Sequence, residues 1–171
     1  MIIRDFNPDD YSSYIRLNQR VFNDAYYPFP GNYPTDLFSM KNFSTAAMDE
    51  HFRTLTTNNS YNHTWVAEED GEIIGSITLT NYNYFDEVRG FYVETKLQGQ
   101  GIGKQLWRLM ENNIKNKDLK LEVFSHAHKT INTYLRWGFV PQAESVGYIH
   151  WDDWPHNVVL ETLKMIKTYD K

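Results

Sequence analysis

The sequence predicts an α/β fold of about six to seven strands and about four helices, built as one domain over residues 1–171. Three observations carry this. A glycine-rich stretch, Gln98-Gly99-Gln100-Gly101-Ile102-Gly103, lies between an apolar run, Val88 to Val93, and a helix-patterned run, Gly103 to Lys115. Asp70-Gly71 separates two runs of strand character, which suits a tight primed turn. Beyond the glycines, strand-like and helix-like runs keep alternating, with no internal repeat and no linker. At 171 residues the length suits one domain with a sizeable core.

Each element has its own signal. Met1 to Arg4 reads as a short strand, and Asn7-Pro8-Asp9-Asp10 as a turn that caps a helix. That helix carries Tyr14, Ile15, Leu17, Val21 and Phe22 at helical spacing. Tyr26 to Pro34 holds three prolines and a glycine and reads as a loop. A second helix is expected over Ser44 to Leu55. Thr64 to Glu69 and Glu72 to Thr80 form the hairpin, and in its second arm Ile73, Ile77 and Leu79 alternate with polar residues as in a half-buried strand. Asp86 to Thr95 is the next strand. Ile102, Leu106, Leu109, Met110 and Ile114 then mark an amphipathic helix ending near Asn116. Leu119 to Phe124 reads as a strand, His128 to Trp137 as a helix stopped by Gly138, and Phe139 to Ile149 and Asn157 to Ile166 as closing strands.

Composition excludes several classes. Hydrophobic residues make up 41% and charged residues 23%, ordinary values for a globular chain. No apolar run approaches the roughly 20 residues a membrane span needs, and the start, MIIRDFNPDD, lacks the pattern of a signal peptide. Neither a membrane nor a nucleic acid is an expected partner, since the net charge is −5 and no basic face is implied. Without cysteine there is no disulfide framework, thiol nucleophile or Cys-based metal site, and a reducing cytoplasmic setting is the expectation. His126-Ala127-His128 lacks the spacing and companions of a zinc site, so no metal is expected.

Glycines between a strand and a helix let the backbone approach a ligand closely, and the first-turn N–H groups of the helix favour phosphate. Spacing rules out two phosphate loops. A Walker A loop would need Gly where Gln98 stands and Ser or Thr where Gln105 stands. A dinucleotide fingerprint would need Gly at Lys104. The remaining pattern, Gln98-x-x-Gly101-x-Gly103, resembles the acetyl-CoA signature of the GNAT superfamily of acyl-CoA-dependent N-acetyltransferases. The segment Thr130 to Phe139, with Tyr134 four residues before Gly138-Phe139, is similar to that family's second motif. The element order from Asp86 to Met165 follows the same fold, which implies a mixed, mostly antiparallel sheet.

The resemblance assigns roles. Backbone groups of Phe91, Tyr92 and Val93 would pair with the pantetheine arm of acetyl-CoA like an added strand. The amides from Gln98 through Gly99, Gln100, Gly101, Ile102 and Gly103 to Lys104 would hold the pyrophosphate. Tyr134 would protonate the departing thiolate, and the Val93 N–H would polarise the thioester carbonyl. Where the family usually places Asn against the pantetheine amide, this chain has His128. Acetyl transfer also needs a neutral amine. An alkyl ammonium has a pKa of about 10.4, so a base or a water chain must take its proton. Glu94 at the strand end is the first candidate base, with Asp86, Glu87 and Glu68 as competitors, and a water relay stays open.

The acceptor is expected at two aromatic loops, one with Tyr27 and Tyr33 and one with Trp151 and Asp152, near Glu68 and Glu87. Aromatic faces beside carboxylates favour a small organic cation. The leading reading is a small-molecule amine acceptor. A peptide amine, a catalytically silent acyl-CoA sensor and a homodimer contact through the last strands remain alternatives.

Overall fold

The computed structural model of the chain describes residues 1–26, 34–150 and 158–170. Seven strands form one sheet: β1 (Ile2–Asp5), β2 (Asn62–Glu69), β3 (Glu72–Asn81), β4 (Asp86–Val93), β5 (Asp118–Phe124), β6 (Val140–Ile149) and β7 (Leu160–Thr168). Their order across the sheet is β1-β2-β3-β4-β5-β7-β6. Every neighbouring pair is antiparallel except β4 with β5, which run parallel. Among the described residues five α-helices accompany them: α1 (Tyr11–Tyr26), α2 (Met40–Phe43), α3 (Ala46–Thr56), α4 (Ile102–Glu111) and α5 (His128–Arg136).

The expected elements form for the reasons their sequences give. Asn7 accepts a hydrogen bond from the Asp9 N–H while Asp10 accepts one from the Asn7 N–H, a reciprocal cap that starts a 3-10 turn leading into α1. Asp70 and Gly71 take φ of 51° and 79°, the two positive values a primed hairpin turn requires. The one-turn helix α2 is too short to leave a periodic pattern. It brings Phe43 against Phe22 and stacks it on Phe52, with ring centroids 5.4 and 5.7 Å apart.

Two expectations change. β3 is buried from Ile73 to Thr80 on both faces, because α1 packs over one and α4 over the other. Its polar residues are accommodated by pairing, as where the Thr64 and Thr78 hydroxyls meet at 2.8 Å. Alternation along a strand therefore did not mean a wet face. The helix after the glycines ends at Glu111, short of Asn116. The backbone N–H groups of Lys115 and Asn116 donate instead to the Asp86 carboxylate, each at 2.7 Å.

Consecutive residues of β4 face the two layers. Phe91 meets Trp107 of α4 and Trp137, whereas Tyr92 meets Phe22 of α1. Among the described residues, no helix is long and apolar enough to cross a membrane.

Candidate active site

β4 and β5 pair only from Asp86 to Val88 against Leu119 to Leu121, and then part. β5 continues to Phe124 on β7, and β4 continues to Val93 on β3, so among the described residues Arg89–Val93 have no strand on the β5 side. A bulge aids the parting. Ser76 and Thr78 of β3 oppose Tyr92 and Arg89, so Gly90 and Phe91 together face one residue, and Gly90 takes a φ of +67°. A Cβ at Gly90 would also lie 3.2 Å from Leu55 and 3.4 Å from the Tyr14 hydroxyl, so the bulge needs glycine on both counts. The parted strands enclose a cavity of about 390 Å³ whose walls include Gly90, Phe91, Tyr92, Thr130 and Tyr134.

The glycine turn stands at the end of β4. Gly99 and Gly101 have φ of +82° and +88°, and Gly101 is the N-cap of α4. Because a Cβ on either would meet nothing within 4 Å, backbone conformation rather than crowding selects glycine there. Gly103 is different: a Cβ would lie 3.2 Å from Phe91 Cζ and 3.5 Å from Val93 Cγ2. Its absence seats α4 directly on the end of β4. The first intrahelical bond at this end runs from the Gln105 N–H to the Gly101 carbonyl, so the preceding amides of the turn have no acceptor within the helix. Gln98 folds back, its amide donating to the Val93 carbonyl at 3.1 Å. Gln98 to Gly101 and Lys104 are exposed.

Tyr134 is held by the end of its own helix. Gly138, at φ +88°, follows the C-cap, and the Phe139 N–H donates to the Tyr134 carbonyl at 3.0 Å. The same turn packs the Phe139 ring on Tyr134, with centroids 5.6 Å apart. This explains the spacing read from the sequence: the glycine supplies the left-handed turn and the Phe locks the Tyr. Trp107 and Trp137 close the other sides, and Tyr134 is 7% exposed at the cavity wall. His128, the first residue of α5, is exposed, and Thr130 two residues on lines the cavity.

The candidate carboxylates separate. Glu94 accepts from Arg20 of α1 at 2.7 Å, and Glu68 is bound by Arg4 at the β1–β2 edge, two strands from β4. Asp86 is fully buried. Burial alone would raise its pKa, but hydrogen bonds from Asn116, Asn81 and Lys115 outweigh that and hold it below the ordinary value. It braces the base of β4. Glu87 differs: burial raises its pKa against the opposing effects of Arg89 and Tyr82, and Glu122 adds to the rise.

Tyr27, Tyr33, Trp151 and Asp152 lie outside the described residues. The cavity wall adds residues the sequence reading did not single out: Arg89 on β4, Glu122 on β5, His51 on α3, and Tyr148 at the end of β6. Arg89 and Glu122 had a signal, since each is the polar partner in an alternating strand. His51 had none. Burial first, and then the neighbouring Arg89, lowers its pKa to about 4, so it is neutral at pH 7.

Residues 30–151 match the family model described as an acetyltransferase (GNAT) domain. No curated protein sequence matches the chain. Among solved structures it resembles PaiA N-acetyltransferase from Thermoplasma acidophilum in complex with coenzyme A, at TM-score 0.66 and 19% identity, with 98% of each chain covered. The ribosomal-protein-S18-alanine N-acetyltransferase of Escherichia coli is similar at TM-score 0.68 and 14% identity, covering 99% of this chain and 94% of that one. An acetyltransferase of the GNAT family from Staphylococcus aureus aligns at TM-score 0.61 and 16% identity over 99% of both. The parted strands, the glycine turn and the locked tyrosine lie in one continuous stretch, Asp86 to Phe139, all of it inside the matched region. The chain belongs to the GNAT superfamily and is an acetyl-CoA-dependent N-acetyltransferase.

Proposed function

We propose that the whole chain acts as one N-acetyltransferase domain that moves the acetyl group of acetyl-CoA to a small primary amine. The parting of β4 and β5 beside Tyr134, with the α4 N-terminus at its mouth, is the observation that carries this reading. The unpaired side of Arg89–Val93 offers pantetheine a strand-like partner. Amides from Gln98 to Lys104 hold the pyrophosphate, and the N-terminal end of the helix dipole favours its charge. His128 reaches the pantetheine amide, or leaves that contact to Thr130.

The amine enters from the α1–α3 face, opposite α4 and α5. On the order of one alkyl amine in a thousand is neutral at pH 7, so the ammonium gives a proton to water or to a carboxylate on the way in. Glu94 is held by Arg20, which favours water or Glu87 for this step. The amine nitrogen then attacks the thioester carbonyl, and its oxygen gathers charge at the Val93 N–H. As the nitrogen–carbon bond forms and the carbon–sulfur bond breaks, Tyr134 gives its proton to sulfur. The surplus proton on nitrogen restores the tyrosine through solvent. The test is thiol release from acetyl-CoA against a panel of small amines and peptides. Turnover with small primary amines is expected, and turnover with peptides alone would replace this acceptor class.

A further inference from the structure

Resting on this acetyl-transfer reading, we propose that the acceptor is a zwitterion, a small primary amine that also carries a carboxylate, with Arg89 binding the carboxylate and Glu122 facing the amine. The Tyr134 cavity, with Arg89 and Glu122, and an adjoining one that shares Glu122 and adds Glu87, Lys120 and Lys164, form a floor that carries both signs of charge. Going up β4 on the α1–α3 face come Glu87 and then Arg89, and going up β5 come Lys120 and then Glu122. In register, Glu87 pairs with Lys120, and Glu122 pairs with Lys164 of β7. Signs therefore alternate both along and across the strands. A polycation laid on this floor would meet Arg89, Lys120 and Lys164 as well as the carboxylates. An acceptor with one charge of each sign matches it.

Arg89 and Glu122 are placed for that match. Leu121 is the last β5 residue paired with β4, so Glu122 and Arg89 stand on either side of the point where the strands part, and both line the cavity that holds Tyr134. Arg89 keeps only a long ion pair with Glu87, Nε to Oε2 4.0 Å, with the Tyr82 hydroxyl alongside, so a substrate carboxylate would take the remaining donors of its planar fork. Glu122 accepts from the Thr162 hydroxyl and makes no ion pair among the described residues. Its seat depends on Gly147 of β6. A Cβ there would lie 2.6 Å from Thr162 Oγ1 and would overlap the Glu122 carboxylate. His51, kept neutral by burial, adds no competing charge. Lys120 already lies over the Phe85 ring at 3.9 Å, so that aromatic face is filled from within rather than open to a substrate cation.

The experiment compares thiol release for ω-amino acids of two to five carbons, their carboxamides, and diamines of the same lengths. The best amino acid is expected to exceed its carboxamide and its diamine at least tenfold in kcat/KM. Arg89→Gln should erase that preference mainly through KM, and Arg89→Lys should restore part of it. A preserved acetyl-CoA thermal shift establishes that both variants are folded. A diamine or carboxamide that matches the amino acid, or a preference that survives Arg89→Gln, overturns the proposal. Calorimetric titration of the same compounds into the CoA-bound protein separates the two claims. Arg89-dependent binding of amino acids without thiol release would uphold the zwitterion site and contradict acetyl transfer, whereas no selective binding would overturn the site.

Discussion

The donor and acceptor sides of the parted strands are built from different material. On the donor side the working groups are backbone: the unpaired side of Arg89–Val93, the amides of the glycine turn, and a helix end that fixes Tyr134. On the acceptor side they are side chains: Arg89, Glu122, His51 and Tyr148, drawn from four different elements. Backbone geometry demands particular residues, glycine above all, and so leaves spaced motifs. A side-chain floor can be laid with many residue types, so it leaves almost none. One ligand is thus written into the sequence and the other has to be read from the fold.

Breaking the donor side should have the largest effect. Gly101→Val forces a side chain into φ +88° at the α4 cap, and acetyl-CoA should then give no thermal shift. A folded variant that shifts fully would show that the turn is not the pyrophosphate site. Tyr134→Phe should lower kcat at least tenfold, and by as much as the about 10²–10⁴ a general acid contributes, with little change in acetyl-CoA affinity. Unchanged turnover would remove Tyr134 from the chemistry and make its packing purely structural.

A stability measurement sharpens the acceptor side. The folded-state pKa of His51 is about 4, against 6.5 for an ordinary histidine, so between these values the unfolded chain binds more protons. Stability is therefore full above pH 6.5 and falls as the pH drops toward 4, by up to about 3 kcal/mol from this residue. Denaturant unfolding at pH 7 and pH 4.5 should show the loss, and His51→Gln should reduce it. An identical pH slope in the variant would mean that His51 is not shielded in the way its burial beside Arg89 implies. Lys104→Ala should have the smallest effect. The side chain is exposed at the first turn of α4, so losing it should weaken acetyl-CoA binding by about two- to fivefold, and less at high salt. A hundredfold loss would make Lys104 a principal phosphate ligand.

The same contrast explains what the sequence disclosed. Hairpin, glycine turn and helix stop were legible because Gly71, Gly99, Gly101 and Gly138 all sit at positive φ, where few other residues are at ease. The two-sided burial of β3 was not legible, because paired Thr64 and Thr78 look like a wet face when read by alternation. Glu94 looked like a base from its position at the strand end, and only the fold brings Arg20, 74 residues away, onto it. Arg89 and Glu122 are distant in sequence and become neighbours where β4 and β5 separate, a placement that only the sheet creates. The short helix α2 escaped because one turn carries no period.

Amide hydrogen exchange with and without acetyl-CoA tests the backbone-built donor site most directly. Slowed exchange is predicted at residues 89–93 and 98–104, with β1 and β2 unchanged. Unchanged exchange in both stretches while acetyl-CoA is bound would contradict the account.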